Sequence, residues 1–197
     1  MQQRSEETRS RILEAALTCF SSRGYDVTSV AEICKAAGLS KGAFYHHFPT
    51  KQAVFLALME SWLSGLDEQL RAVMSSAQDV AQGFDVMSGM LGEIFTTARG
   101  HLPMFLEFWT QSLRDPVLWK MVIAPYKRYQ DLFADFIQRG IDEGSLRPVN
   151  PQMAARWIVS MAVGLLLEAL IEPDANWDQI GQQGILTLFS GLKAEGK

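Results

Sequence analysis

The sequence has little of what a secreted, metal-binding or catalytic protein needs. Cysteine is scarce. Cys19 and Cys34 are the only two, neither has a Cys or His partner at metal-ligand spacing, and both sit in apolar helical patterns, so they read as reduced packing residues. Histidine is nearly as rare, with His46, His47 and His101 the full set. The first two are neighbours whose side chains on a helix point about 100° apart, too far to share one ion, and the third is remote in the chain. Neither a metal nor a cofactor is expected. No G-x-S-x-G, H-E-x-x-H, P-loop or paired-cysteine pattern occurs, which leaves an enzyme without a motif in its favour. The N-terminal MQQRSEETRSR lacks the apolar stretch and small-residue cleavage site of a secretory signal, so a cytoplasmic location is expected. The most apolar run, Trp157 to Ile171, contains Glu168 and falls short of the roughly 20 apolar residues of a membrane span. It reads as a buried helix, with no membrane as partner.

What remains is an ordinary folded composition. With 197 residues, 48% of them hydrophobic and 20% charged, the chain can bury a core without covalent staples. The net charge of −4 is unevenly spread: residues 1–51 carry seven Lys or Arg against five acids, net +2, and the remainder carries 11 against 17, net −6. That asymmetry points to a phosphate-facing head on an acidic body.

Helical spacing recurs throughout and alternating strand patterns do not, which predicts an all-α protein of about nine helices. Ile12, Leu13, Ala16, Leu17 and Phe20 line one face of a first helix over residues 6–23, closed by Gly24. Ser29 and Glu32 form an S-x-x-E capping box for a short helix with Val30, Ile33, Cys34 and Ala37 on one side. Gly38 supplies a left-handed stop, and Ser40 caps a third helix from Lys41, which together make a helix-turn-helix. In that third helix Phe44 and Phe48 face inward. Gly42 and His46 face away, Ala43 and Tyr45 lie on the flanks, and His47 lies nearer the edge. A helix whose outer face has almost no bulk at its start and polar groups further on is shaped to approach another surface closely. Pro49 ends it, and Thr50 caps a fourth helix expected over residues 51–74. Further helices are expected at 79–99, 102–113, 116–143, 151–171 and 176–192, with Asp115-Pro116 and Asn150-Pro151 as starts and Gly144 and Pro173 as stops.

Residues 28–58, TSVAEICKAAGLSKGAFYHHFPTKQAVFLAL, resemble the DNA-binding head of TetR (AcrR-type) bacterial transcriptional regulators. The family's Y-x-H-F-x-x-K element stands here as Tyr45, His46, His47, Phe48, Pro49, Thr50 and Lys51, after Gly38 and Gly42 at their usual offsets. The resemblance implies a homodimer on double-stranded DNA, with residues 41–47 as the recognition helix in the major groove. It places Tyr45, His47 and Lys51 at phosphates, with Thr28 or Ser29 at the second helix's N-terminus, and it places Lys41, Gly42, Ala43 and His46 where bases or nearby backbone are read, beside the cap Ser40. Gly42 and Ala43 depart from the pattern because they offer no hydrogen-bonding side chain. Direct readout then leans on Lys41 toward guanine and on Ala43 against a thymine methyl. The donors Tyr45, imidazole N–H and Lys51, with helix N-termini at 29 and 51, suit phosphate oxygens independently of the resemblance.

The resemblance divides the chain into a DNA-binding domain, 1–51, and a ligand-binding and dimerisation domain, 52–197. The body is rich in large soft side chains, for which plain core packing is the simplest reading of any one residue. Taken together, Trp62, Met87, Met90, Phe105, Trp109, Tyr126, Tyr129, Trp157 and Met161 suit an adaptable apolar cavity for a hydrophobic or amphipathic effector, with Arg99, His101, Glu107 and Gln111 as candidate polar contacts. The last two helices are apolar on nearly every face. Met161, Leu165, Glu168, Ala169, Ile180, Gly184 and Leu188 are the expected dimer contacts, with Gly181, Gly184 and Gly191 allowing close approach. The expected function is a ligand-responsive regulator, most simply a repressor released by its ligand. The alternative is an all-α small-molecule-binding or enzymatic protein whose head no longer binds DNA.

Overall fold

The computed structural model describes residues 2–194, without the side chains of Gln2, Ala98, Arg99, Gly100 and Gln111. Nine α-helices lie among the described residues: α1 (Gln2–Arg23), α2 (Val30–Ala37), α3 (Lys41–His47), α4 (Lys51–Ser76), α5 (Val80–Gly89), α6 (Leu91–Ser112), α7 (Pro116–Asp142), α8 (Pro151–Ile171) and α9 (Trp177–Ser190). The only β pairing among them is an isolated antiparallel bridge between Leu146 and Lys193. The all-α expectation holds.

Two helix boundaries differ clearly from those expected. The break expected near residue 100 is absent, and α6 runs unbroken through Gly100 and Pro103. A proline inside a helix removes one N–H and crowds the preceding turn, which bends or weakens a helix without obliging it to end. The break falls instead at Met90, whose N–H turns back to the Met87 carbonyl at 3.1 Å while its own carbonyl starts α6 by accepting from Ile94. α1 also begins earlier than expected, at Gln2.

The chain forms two compact units. The first comprises residues 1–65 and 103–122. In it α1 packs on α2 and α3, with Ile12, Ala16, Phe20, Ile33 and Phe44 at its centre, each 1% exposed or less. Aromatic rings extend this core: Phe55 of α4 stacks on Phe108 of α6 at 3.8 Å, and Tyr25 meets both edge-on at 5.4 and 5.1 Å. Burying rings of this size is among the larger stabilising contributions a small core has.

The second unit comprises residues 66–102 and 123–197. Here α9 packs on α5 and α8. Gly181 was expected to favour approach of a second chain, but its close contact is internal: a β-carbon there would lie 2.7 Å from the Phe95 ring and 3.0 Å from Leu91. The same cluster of Phe95, Trp177 and Ala169 buries Leu165 in part. Arg139 of α7 finishes α4 by donating to the carbonyls of Met74 and Ala77 at 2.7 and 2.8 Å, satisfying acceptors that a helix end leaves open.

Candidate nucleic-acid interface

The site is assembled by three helix N-caps and one C-cap. Ser29 accepts from the Glu32 N–H at 3.3 Å, and Glu32 accepts from the Ser29 N–H at 2.8 Å, completing the capping box. The bond from the Ser29 N–H, and after it one from the Ser29 hydroxyl to the same Glu32 oxygen at 2.8 Å, hold the Glu32 carboxyl below the usual carboxylate range, with Arg23 opposite it adding to the effect. At the other end of α2, Gly38 takes φ +64°, and Leu39 N–H reaches back to the Cys34 carbonyl at 2.9 Å. Arg11 of α1 donates to the Ala37 carbonyl at 2.6 Å and so ties the turn to the first helix. Ser40 then accepts from Ala43 N–H at 3.1 Å, and Thr50 caps α4 by accepting from Ala53 N–H at 3.0 Å.

With its ends fixed, α3 buries Phe44 completely and the adjoining Phe48 almost so, while Arg9 lies over the Phe48 ring at 5.2 Å. The opposite side is open. Lys41, Gly42, Tyr45 and His46 are exposed, with Ala43 and His47 half-buried beside them. Tyr45 rests edge-on against Phe44 at 5.3 Å, and the two imidazoles meet edge-on at 5.1 Å. A β-carbon on Gly42 would touch only Ser40 Oγ, at 3.7 Å, so the fold leaves room there that the sequence does not fill. One short helix therefore presents a small central strip rimmed by donors, a shape that lets the backbone close on a groove while Tyr45, Lys41 and the imidazoles reach its walls.

Two residues expected at this face are engaged elsewhere. Thr28 is 1% exposed, and its hydroxyl donates to the Gly24 and Cys19 carbonyls, leaving the exposed Ser29 to represent that end of α2. Lys51 turns inward. Its ammonium donates to the carbonyls of Tyr25, Asp26 and Thr28 at 2.7, 3.1 and 2.9 Å, and burial holds it below the usual lysine range. The sequence could not separate these from their neighbours, because an inward and an outward lysine look alike in a helix's first turn.

Comparison with known proteins decides the family. Residues 12–58 match the description "Bacterial regulatory proteins, tetR family", and residues 85–183 match "BetI-type transcriptional repressor, C-terminal". The chain belongs to the TetR family. It is 26% identical over 196 residues to the HTH-type transcriptional regulator UidR of Escherichia coli strain K12, covering 98% of this chain and 96% of that one. It is 24% identical over 191 residues to the HTH-type transcriptional repressor KstR2 of Mycobacterium tuberculosis strain H37Rv, covering 95% and 94%. Among solved structures, the SmeT–triclosan complex superposes with a TM-score of 0.83 at 26% identity, covering 96% of this chain and 93% of that one. As a TetR-family member the chain is a DNA-binding transcriptional regulator, and α2 and α3 are its helix-turn-helix.

The residues expected around an effector fall into two groups. In the first unit Trp62 packs on Phe105 at 5.0 Å and Trp109 meets Trp119 at 6.4 Å. In the second unit Met87 and Tyr129 are buried, Met90, Tyr126 and Met161 are half-buried, and His101 is half-buried with Nδ1 against the Thr97 carbonyl at 2.8 Å. The side chains of Arg99 and Gln111 lie outside the described residues. Two expectations are corrected. Trp157 is 63% exposed in the single chain, on the open face of α8. Glu107 is no free pocket carboxylate, since it accepts from the Tyr25 and Asp26 N–H groups. A surface groove of about 460 Å³ in the second unit is lined by Arg71, Met74, Leu132, Asp135, Phe136 and Arg139, none of them an expected pocket residue.

The side of α8 left open in the single chain only partly matches the expected dimer contacts. Ala169 is 3% exposed, packed internally with Leu165 beside it, whereas Met153, Trp157, Leu167 and Ile171 share the open face at 50, 63, 36 and 77% exposure. Gly164 lies in the same stripe with open space over it, and Glu168 is exposed there. In the single chain only 28% of the most apolar window of α8 is buried. Ile180 of α9 is exposed, Leu188 is half-buried, and Gly184 faces Met161 and Leu165 across ordinary contact distances.

Proposed function

We propose that the chain is a cytoplasmic repressor that binds a near-palindromic operator as a homodimer, through residues 1–51, and is released by a hydrophobic or amphipathic small molecule held by residues 52–197. It acts by binding and not by catalysis. The observation that carries the reading is the outer face of α3, where Gly42 and Ala43 leave the backbone unobstructed and Lys41, Tyr45 and His46 stand as donors around it. Ser29, His47 and the capped N-termini of α2 and α4 supply the flanking phosphate contacts.

The homodimer rests on α8. This helix of 21 residues holds an 18-residue window of mean hydropathy 1.8 of which only 28% is buried, and its Met153–Ile171 stripe would remain in water unless a second copy covered it. A two-fold axis there would set two recognition helices on successive major grooves, about 34–36 Å apart. The effector reading is supported by the soft aromatic and methionine content of the middle helices and by the triclosan held in SmeT.

Fluorescence anisotropy of the protein on duplexes enriched from a random pool, against a scrambled duplex at several salt concentrations, tests this reading. Selective, salt-sensitive binding of two-fold symmetric sites is expected. Equal weak binding to both duplexes overturns it.

A further inference from the structure

The geometry points to Glu107, in the regulatory region's helix α6, as the positioning residue that sets the DNA-binding head. The inference rests on the operator-binding function proposed above and assigns it a route of regulation. The loop between α1 and α2 is gripped from two sides. Its amides face an anion: the Tyr25 and Asp26 N–H groups each donate to the Glu107 carboxylate at 2.7 Å, one to each oxygen. Its carbonyls face a cation, the Lys51 ammonium at the start of α4. Gly24 turns the chain into this grip at φ +91°, and a β-carbon there would press to 3.1 Å on the same carboxylate.

The bonds to Glu107 join parts of the chain 82 and 81 residues apart. They also join the stretch matched by the tetR-family head, residues 12–58, to the stretch matched by the BetI-type C-terminal region, residues 85–183. Neighbouring side chains of α6 hold the helix in place, Phe108 against Tyr25 at 5.1 Å and Phe105 against Phe55 at 5.6 Å. The gripped loop ends at Ser29, the cap of α2, and α2 carries the turn into α3. A rotation or slide of α6 therefore carries two hydrogen bonds with it and reorients the N-terminus of α2. Glu107 touches no DNA. It fixes the pose in which α2 and α3 meet the operator, and an effector that displaces α6 lowers affinity by releasing that pose. Coupling must run both ways, so operator binding should in turn hold α6 in place.

Glu107→Gln and Glu107→Asp test this on the full-length protein. The probe is the duplex that the wild type enriches from a random pool. Glu107→Gln keeps the shape, removes the charge and turns one acceptor into a donor facing an N–H. It is expected to bind about tenfold or more weakly, the size of losing a charge-assisted hydrogen bond. The slope of affinity against salt should be unchanged, because no phosphate contact is lost. Glu107→Asp, with its charge kept and its reach shortened, should fall between. Hydrogen exchange is the second readout: operator binding should slow the amides of residues 104–110 in the wild type and leave them unaffected in Glu107→Gln. Thermal melts correct each affinity for the folded fraction, so a purely structural role would lower the melting temperature and leave both readouts alone. Equal affinity of folded wild type and folded Glu107→Gln overturns the positioning role and leaves the DNA-binding function standing. A wild type that enriches no duplex overturns the function itself, and this inference with it.

Discussion

Lys51 Nζ lies 2.7 Å from the Tyr25 carbonyl oxygen and 4.3 Å from the centroid of the Tyr25 ring, so one ammonium holds both the backbone and the side chain of that residue. This cation fastens the head from within. Lys51→Met keeps the aliphatic stem and leaves three carbonyls without their donor, a loss of about 2 kcal/mol in folding stability by urea denaturation. The slope of operator affinity against salt should stay as in the wild type. A slope reduced by about 0.9, with stability intact, would instead place Lys51 on a phosphate.

Tyr25 itself carries a pH signature. Burial, followed by the nearby Asp26 and Glu107 carboxylates, pushes its phenol up to about 12. The folded state thus holds the proton more tightly than the unfolded chain, whose tyrosines ionise near their ordinary value of about 10. The resulting stability is fully present below about pH 10 and is lost as pH rises through the folded value, on the order of 2 kcal/mol in all. Phenolate absorbance at 295 nm should show one of the four tyrosines ionising last, and Tyr25→Phe should remove that component. A titration of Tyr25→Phe that still contains the late component would assign it to another residue.

Gly42 separates folding from function. The open space over its Cα accepts a methyl group, and alanine is the better helix former, so Gly42→Ala should raise stability by about 0.5–1 kcal/mol. The added methyl stands on the strip proposed to approach DNA, so operator affinity should fall in the same variant. A rise in both would show that this strip does not approach the groove.

The open face of α8 makes a prediction about assembly. Trp157→Glu and Ile171→Glu change residues that a single chain leaves in water, so both should convert dimer to monomer in sedimentation velocity with little change in helicity. Ala169→Leu, aimed at a residue packed inside the chain, should lower the melting temperature instead. Unaltered sedimentation of both glutamate variants would move the dimer contact to another surface.

Local signals were the ones legible in sequence. Ser29 with Glu32, Gly38 and Ser40 act within three or four residues, so a short stretch fixes the helix-turn-helix, and the outward side of α3 follows from helical angle alone. Longer reach was not legible. The face of α8 could not be assigned because apolar residues occur nearly all round it, and only the contact of Leu165 and Ala169 with Phe95 and Trp177 separates inside from outside. Trp157 was grouped with pocket residues because an aromatic side chain suits a cavity wall and a dimer face equally well. Glu107 read as one more polar residue among aromatics, since its partners lie some eighty residues away.

The first compact unit takes in residues 103–122 as well as the N-terminal helices, and this bears on how such regulators can be recombined. A chimera that exchanges only the N-terminal stretch would set a foreign loop against Glu107, Phe105 and Phe108 and leave the graft without its counterpart. Transplanting residues 103–122 along with the head would carry the anchor with the part it anchors. For this chain the compact unit that holds the helix-turn-helix is discontinuous in sequence, and its smaller piece lies inside the stretch matched by the BetI-type C-terminal region.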